Sequence, residues 1–182
     1  PNNKSYEVIY NLLIDSYVKQ KDYDSALLIL KGNKEYSSKE LIQKISFLKG
    51  IELFKLRKYR EANQYFEESI KTGNDDLYRL KSKYWLGRSF FALKKFDEAL
   101  DEYKDFIKKN ISKKTEEYKR VYYDIAYSYF QLKEYSYALL NFQRFSTTKK
   151  VVDAKIYHDI DLRIADCHFA LKKYWPAMEG YN

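Results

Sequence analysis

The chain has 182 residues with a formal net charge of +8, and 45% of its residues are hydrophobic. It holds 20 Tyr and 11 Phe but only 5 Gly and 2 Pro. This argues against an all-β fold, because such folds need turn residues roughly every 8–12 positions. The single cysteine excludes an internal disulfide, and no apolar run reaches the ~18 residues of a membrane span.

One short pattern, an aromatic residue followed three positions later by alanine, recurs five times along the chain. Its alanines are Ala26, Ala62, Ala99, Ala138 and Ala177, with separations of 36, 37, 39 and 39 residues. Apolar residues recur at three- and four-residue steps before and after each copy, which predicts a helix on either side. The polar links between these helices are short enough only for tight turns. Each copy therefore predicts two antiparallel helices, and the chain a stack of helical hairpins.

We place the repeats approximately at 5–36, 41–74, 77–111, 115–148 and 152–182, in a single repeat domain spanning 1–182. Two helix starts carry recognisable signals. Ser37-x-x-Glu40 is typical of a capping box, and Asn74-Asp75-Asp76 supplies acceptors for a helix N-terminus. Because Pro1-Asn2-Asn3 looks like the exit from a preceding repeat and the fifth repeat is truncated, we interpret the chain as a fragment of a longer protein.

The repeat resembles the tetratricopeptide repeat (TPR), whose pattern is W-x2-L-G-x2-Y followed by A-x3-F. The third copy carries it most clearly, through Leu86-Gly87, Phe90, Ala99 and Tyr103. The resemblance covers essentially the whole chain, although units of 36–39 residues exceed the usual 34 of the family. It implies an all-α fold, an α-α superhelix (solenoid) of nine or ten helices in antiparallel pairs.

In tetratricopeptide superhelices, the first helix of each pair lines a concave groove. Taking the small Gly or Ala of each first helix as a fixed point gives an outward stripe that is both aromatic and cationic. The predicted groove residues are Lys44, Phe47, Ile51, Lys81, Tyr84, Arg88, Arg120, Tyr123 and Tyr127. Large aromatic residues beside Arg are common anchors of interfaces. Packing between repeats is the alternative interpretation of these aromatic residues.

The resemblance implies a non-catalytic scaffold that binds a peptide or helix of another protein in this groove. Its basic and aromatic residues favour a partner with acidic and apolar side chains. Single-stranded RNA binding and an architectural role in a bacterial cell-envelope protein remain alternatives, with nucleic acid disfavoured because the repeat length varies. We also expect the exposed C-terminal repeat, with Trp175, Met178 and Tyr181, to allow self-association. Cytoplasmic and bacterial periplasmic or envelope locations both stay open.

No motif points to catalysis, a cofactor or a metal. His158, Asp161, Asp166, Cys167 and His168 lie near one another in sequence. The two histidines are ten residues apart, which separates them by ~80° around a helix, and a structural zinc site needs four suitably spaced ligands. His168 takes a repeat position that is aromatic or aliphatic elsewhere, so we expect it to pack. We expect no enzyme.

Overall fold

The structure is a computed structural model that describes residues 3–33, 35–147 and 154–181. The described residues form ten α-helices and two short 3-10 helices and contain no strand, which confirms the predicted all-α fold. The 3-10 helices are Asn110–Lys114 and Glu117–Lys119. The α-helices are α1 (Asn3–Lys19), α2 (Tyr23–Gly32), α3 (Lys39–Lys55), α4 (Tyr59–Thr72), α5 (Asp76–Ala92), α6 (Phe96–Lys108), α7 (Val121–Gln131), α8 (Tyr135–Ser146), α9 (Ala154–Ala170) and α10 (Tyr174–Tyr181).

The chain divides into two compact units, Pro1–Ser89 and Phe90–Asn182. In the first unit, α2 packs on α1 and α3, and α3 packs on α4. In the second, α7 packs on α6 and α8, and α9 packs on α8 and α10. The single repeat domain stays a prediction. Four of its landmarks lie outside the described residues: Pro1-Asn2, interpreted as the exit of a preceding repeat, and repeat limits 148, 152 and 182.

All five hairpin turns close in the same way. The residue two positions after each first helix has a left-handed backbone, as in Arg57 with φ 61°. The amide of Arg57 donates to the Phe54 carbonyl (3.0 Å), and the amide of Lys58 donates to the Leu53 carbonyl (2.9 Å). These two bonds form a Schellman motif, which satisfies carbonyls at the end of the first helix. The five left-handed residues are all cationic: Lys21, Arg57, Lys94, Lys133 and Lys172.

Aromatic pairs brace four of these turns. Each pair joins a phenylalanine near the end of the first helix to the aromatic residue that opens the second. The ring centroids are 5.2–5.7 Å apart and the rings meet edge to face, in the pairs Phe54–Tyr59, Phe91–Phe96, Phe130–Tyr135 and Phe169–Tyr174. This geometry suits the quadrupoles of aromatic rings. The recurring phenylalanines therefore hold these four hairpins closed.

Small residues allow the paired helices to approach. The five repeat alanines are at most 2% exposed. A Cβ atom at Gly50 would lie only 2.5 Å from Cε1 of Phe66 on α4, so a larger residue there would force the two helices to shift. Interior packing leaves no room to absorb that shift. The repeat motif therefore works through close contact between α3 and α4.

Polar side chains fix two helix starts in the first unit. The Asp75 carboxylate accepts bonds from the amides of Leu77 (2.8 Å) and Tyr78 (3.2 Å), as the sequence predicts for this helix start. The predicted cap at Ser37 is wrong by one residue. Ser38 is the N-cap of α3, and its hydroxyl accepts from the Leu41 amide at 3.2 Å. Ser38 has the extended backbone that an N-cap needs.

Candidate functional site

The first unit carries six of the predicted groove residues on α3 and α5. These helices lie side by side, since Phe47 contacts Tyr78 (5.5 Å between ring centroids) and Phe54 contacts Trp85 (5.2 Å). Four of the six residues reach the surface, with Lys44 exposed and the other three half-buried. We name this surface the α3–α5 face, and it consists of Lys44, Ile51, Lys81 and Arg88.

The other two predicted residues of the first unit are part of the core. Phe47 is 7% exposed and Tyr84 is 2% exposed, so the expectation that their rings point outward is wrong. Phe47 precedes Gly50 by three positions, and Tyr84 precedes Gly87 by three. Residues three apart share one face of a helix. Because both glycines are buried, the aromatic residues one turn before them are buried too.

An aromatic–arginine cluster lies beside the α3–α5 face. The guanidinium carbon of Arg88 is 4.9 Å from the ring centroid of Trp85 and 5.4 Å from that of Phe54. All three side chains are half-buried. Sequence reasoning missed the contact of Trp85 and Phe54 with Arg88. The three-residue spacing of Trp85 and Arg88 on one helix was the available signal, because such pairs lie on one face.

Cations of the α3–α5 face are not neutralised by neighbouring carboxylates. Among the described residues, no carboxylate lies within ion-pair distance of Lys44, Lys81 or Arg88. Lys49, elsewhere on α3, shows the opposite situation, with ion pairs to Asp24 (2.8 Å) and Glu52 (2.9 Å). Burial favours a lower pKa for Lys49, but the hydrogen bonds to these carboxylates raise it overall. The α3–α5 face thus retains uncompensated positive charge.

The second unit carries the remaining predicted residues, Arg120 at the N-cap of α7 and two tyrosines on α7 whose hydroxyls are already hydrogen-bonded. Tyr123 and Tyr127 are half-buried, and both hydroxyls donate to Oδ2 of Asp159 on α9, at 3.1 and 2.5 Å. The Arg120 guanidinium lies over the Tyr123 ring at 5.2 Å, and its Nε is 3.6 Å from Oδ1 of Asp124. The structure therefore brings an acidic residue into a stripe predicted to be basic.

Arg163 extends this arrangement along α9. Its Nε donates to the Tyr127 hydroxyl (3.1 Å), and its Nη1 donates to Oδ2 of Asp166 (2.7 Å). Oδ1 of Asp166 accepts from the Tyr181 hydroxyl at 2.8 Å, which ties α10 to α9. We call the set Tyr123, Tyr127, Asp159, Arg163 and Asp166 the α7–α9 network.

Sequence reasoning missed the α9 members of this network, although one signal was available. The predicted groove residues lie six and three positions before, and one position after, the small residue of each first helix. This spacing rule, applied to Ala165 in α9, selects Asp159, Leu162 and Asp166. Arg163 has no counterpart under the rule and follows only from the three-dimensional contacts.

The tyrosine hydroxyls of the network act as hydrogen-bond donors. Burial, followed by the hydrogen bond with Tyr127, raises the pKa of Tyr123 above its ordinary value. Burial, followed by the bond to Asp159, raises the pKa of Tyr127. Both groups therefore remain neutral well above neutral pH and hold the carboxylate of Asp159 between them. The two hydrogen bonds therefore act as structural contacts between α7 and α9.

The histidine–cysteine region of α9 has the features of a packed helix. Cys167 is fully buried, and burial raises its pKa to about 12, which keeps it a thiol. His168 is half-buried and His158 is exposed. In the part of the chain that the structure describes, no three histidine, cysteine or acidic residues are grouped to hold a metal ion. No helix within these residues is long and apolar enough to cross a membrane.

The last helix presents an apolar surface. Trp175 is 68% exposed, Met178 is 50% exposed and Tyr181 is 47% exposed. The Trp175 indole N–H donates to Glu179 at 3.0 Å. Self-association through this surface stays a prediction.

Several solved structures share this fold at low sequence identity. BtubC (BKLC) from P. vanneervenii is 15% identical with a TM-score of 0.71, over 94% of this chain and 75% of that one. MamA from Desulfovibrio magneticus RS-1 is 14% identical with a TM-score of 0.68, over 96% and 90% of the two chains. MamA from AMB-1 is 15% identical with a TM-score of 0.67, over 98% and 90%. At these identities the likeness shows the fold alone.

A family model settles the relationship that the repeat pattern predicts. No curated protein sequence matches the chain. The model of the tetratricopeptide repeat matches residues 47–112 and again 84–145. The two matches together cover more than half of the 182 residues. The chain belongs to the tetratricopeptide repeat family, whose fold generally serves as a non-catalytic scaffold for interactions between proteins.

Proposed function

We propose that this chain is a non-catalytic interaction scaffold whose α3–α5 face binds a segment of a partner protein. The partner segment carries acidic and apolar side chains. Lys44, Lys81 and Arg88 bind its carboxylates, while Ile51 and the rings of the aromatic–arginine cluster contact its apolar groups. Membership of a family of protein-interaction repeats supports the general role, and the chemistry of this face supports the kind of partner.

A single observation carries the proposal: the Arg88 guanidinium lies over two aromatic rings and has no carboxylate partner among the described residues. These cation–π contacts hold the guanidinium in place without using its N–H groups as donors to a carboxylate. A carboxylate can accept two parallel hydrogen bonds from a guanidinium. Arg, Trp and Tyr are also the residues that most often dominate the energy of an interface.

The predicted residues of the second unit have a lesser part in this proposal: Tyr123 and Tyr127 on α7, and Arg120 at its N-cap. Their rings offer apolar contact area, and Arg120 is half-buried. The hydroxyls of both tyrosines are already donating to Asp159. A carboxylate from a partner would have to displace Asp159 to use them. We therefore assign the recognition of acidic side chains to the first unit.

Selection from a random peptide display library tests the proposal. The protein serves as bait, and recovered peptides are tested by fluorescence anisotropy against the wild type and the Arg88→Glu variant. We expect recovered peptides to be enriched in Asp and Glu beside apolar residues, and to bind the variant at least about tenfold more weakly. The matched control is Arg60→Glu, an exposed cation on α4, which should leave the affinity unchanged.

Two outcomes would contradict the proposal. If the recovered peptides were not enriched in Asp or Glu, the proposed recognition of acidic side chains would be wrong. Tighter binding of a single-stranded oligouridylate than of any peptide, with affinity falling steeply as salt rises, would favour RNA as the ligand instead. Thermal unfolding of each variant, measured in parallel, separates lost binding from lost structure.

A further inference from the structure

A surface pocket of about 370 Å³ lies in the first unit, where the first hairpin turn meets the second half of α3. Its apolar lining is provided by Tyr23, Leu48, Ile51 and Leu56, and its charged rim by Lys21, Glu52 and Lys55. The volume is at the lower end of the range of about 300–1,000 Å³ found for ligand sites. It suits one or two side chains rather than a large cofactor.

The fold fixes both walls of this pocket. On one side, Lys21 has a left-handed backbone (φ 61°) held by the bond from its amide to the Val18 carbonyl at 3.1 Å. Tyr23, which opens α2, is only 9% exposed. On the other side, Leu48, Ile51 and Lys55 follow one another at three and four residues along α3, so they share one helix face. The pocket is therefore formed without a partner present.

The rim of the pocket is electrostatically unbalanced. Its acidic residue, Glu52, is already paired with Lys49 at 2.9 Å. Lys21 and Lys55 have no ion pair in the described part of the chain. Lys21 follows the end of α1 and Lys55 is the last residue of α3, so both lie near backbone carbonyls that attract a cation. The partial negative charge at a helix C-terminus is only about half an elementary charge, so it does not neutralise a lysine. The two lysines therefore leave a positive rim around an apolar floor.

We infer that this pocket binds a leucine- or phenylalanine-sized side chain of the partner that directly follows an aspartate or glutamate. The apolar side chain covers Leu48 and Ile51, and the preceding carboxylate lies between Lys21 and Lys55. Complementary charge decides the flanking residue, since a cationic neighbour would be repelled by both lysines. The inference rests on the proposed function, because Ile51 belongs to both the pocket and the α3–α5 face.

Three capped dipeptides test this inference by ¹H–¹⁵N NMR titration of the whole chain. The probes are acetyl-Asp-Leu-amide, acetyl-Asn-Leu-amide, which lacks the charge, and acetyl-Asp-Ala-amide, which lacks the large side chain. We expect acetyl-Asp-Leu-amide to shift the amide signals of Tyr23, Ile51 and Leu56 in a saturable way. The other two probes should bind about tenfold more weakly, since each loses one of the two matched contacts.

Substitutions at the rim supply the second arm. Lys21→Gln and Lys55→Gln should each weaken acetyl-Asp-Leu-amide binding several-fold. The matched control is Lys39→Gln, since Lys39 is the first residue of α3 and Lys55 the last, ~24 Å apart along the helix axis. Equal binding of the Asp and Asn probes, or an equal loss on Lys39→Gln, would overturn the inference. If the pocket fails while selected acidic peptides still depend on Arg88, the proposed function stands. If those peptides do not depend on Arg88, the proposed function itself fails.

Discussion

The faces formed by the first helices of the repeats differ between the two units in how their charges are used. In the first unit, Lys44, Lys81 and Arg88 have no carboxylate partner among the described residues. In the second, Asp159 accepts two tyrosine hydroxyls and Arg163 is hydrogen-bonded to Asp166. The same repeat therefore supports two kinds of surface. The charged groups of the α3–α5 face are available to a ligand, whereas those of the α7–α9 network form contacts between the helices of the second unit.

Equivalent positions of the repeat explain the difference. In the second, third and fourth repeats, the residue six positions before the small residue of the first helix is Lys44, Lys81 and Arg120 in turn. In the fifth repeat the same position is held by Asp159. The sign of the charge thus changes at the last of these positions. Because Asp159 lies opposite the tyrosines of the preceding first helix, it takes up their hydroxyls. The acidic residue at this position thus supplies the acceptor around which the hydrogen-bonded network of the second unit forms.

The largest expected effect concerns Tyr84, whose substitution tests whether this predicted groove residue belongs to the core or to the surface of the first unit. Tyr84→Ala should lower the free energy of unfolding by about 3–5 kcal/mol, because it removes a fully buried aromatic ring. Chemical denaturation measures this loss. Lys81→Ala, on the same helix, should cost no more than about 0.5 kcal/mol. Equal midpoints for the Tyr84 variant and the wild type would show that the ring is not a core residue.

The next effect tests whether the α7–α9 network is structural. Asp159→Ala should lower the free energy of unfolding by about 2 kcal/mol, because two half-buried hydroxyls lose their acceptor. The control is Asp161→Ala on the same helix, whose side chain is exposed and whose loss should cost little. If the two variants unfold alike, the second unit does not depend on this network and the contrast with the first unit disappears.

Alkaline pH should weaken the second unit through the same network. The folded state raises the pKa of Tyr123 above that of the unfolded chain, mainly by burial. Its contribution to stability is therefore present below about pH 10, the ordinary pKa of tyrosine, and is lost as the pH rises toward the folded value. Tyr123→Phe should reduce the slope of unfolding free energy against pH above that point by up to about 1.4 kcal/mol per pH unit. An unchanged slope would mean that this hydroxyl is solvated.

The smallest effect should be the same in both units, because it belongs to the hairpins and not to the faces. Arg57→Gly and Lys133→Gly should each raise the free energy of unfolding by about 0.5–1 kcal/mol, since glycine adopts the left-handed backbone without strain. Lys44→Gly, inside α3, should lower it by about 1 kcal/mol. If either turn variant were less stable than the wild type, the replaced side chain would itself contribute to the free energy of unfolding.

The sequence was sufficient to predict the helical repeat, because the aromatic residues and alanines that set its period are also residues that pack the hairpins. The spacing rule for the groove residues was wrong about the direction of two of them. It placed Phe47 and Tyr84 on the outward stripe, although their three-residue spacing from buried glycines turns them inward. The left-handed turns escaped prediction because Lys and Arg have no preference for that backbone. Arg163 escaped because its role depends on contacts between helices.

Charge reversal at two arginines tests the division between the units most directly. A selected acidic peptide is titrated calorimetrically into the Arg88→Glu and Arg163→Glu variants, and the free energy of unfolding of each is measured alongside. Arg88→Glu should weaken binding at least about tenfold and cost about 1 kcal/mol of stability, the value of its cation–π contacts. Arg163→Glu should keep the affinity of the wild type while losing about 2–3 kcal/mol of stability, because it places a third carboxylate beside Asp159 and Asp166. Unchanged binding by the Arg88 variant, or lost binding with intact stability in the Arg163 variant, would contradict the account.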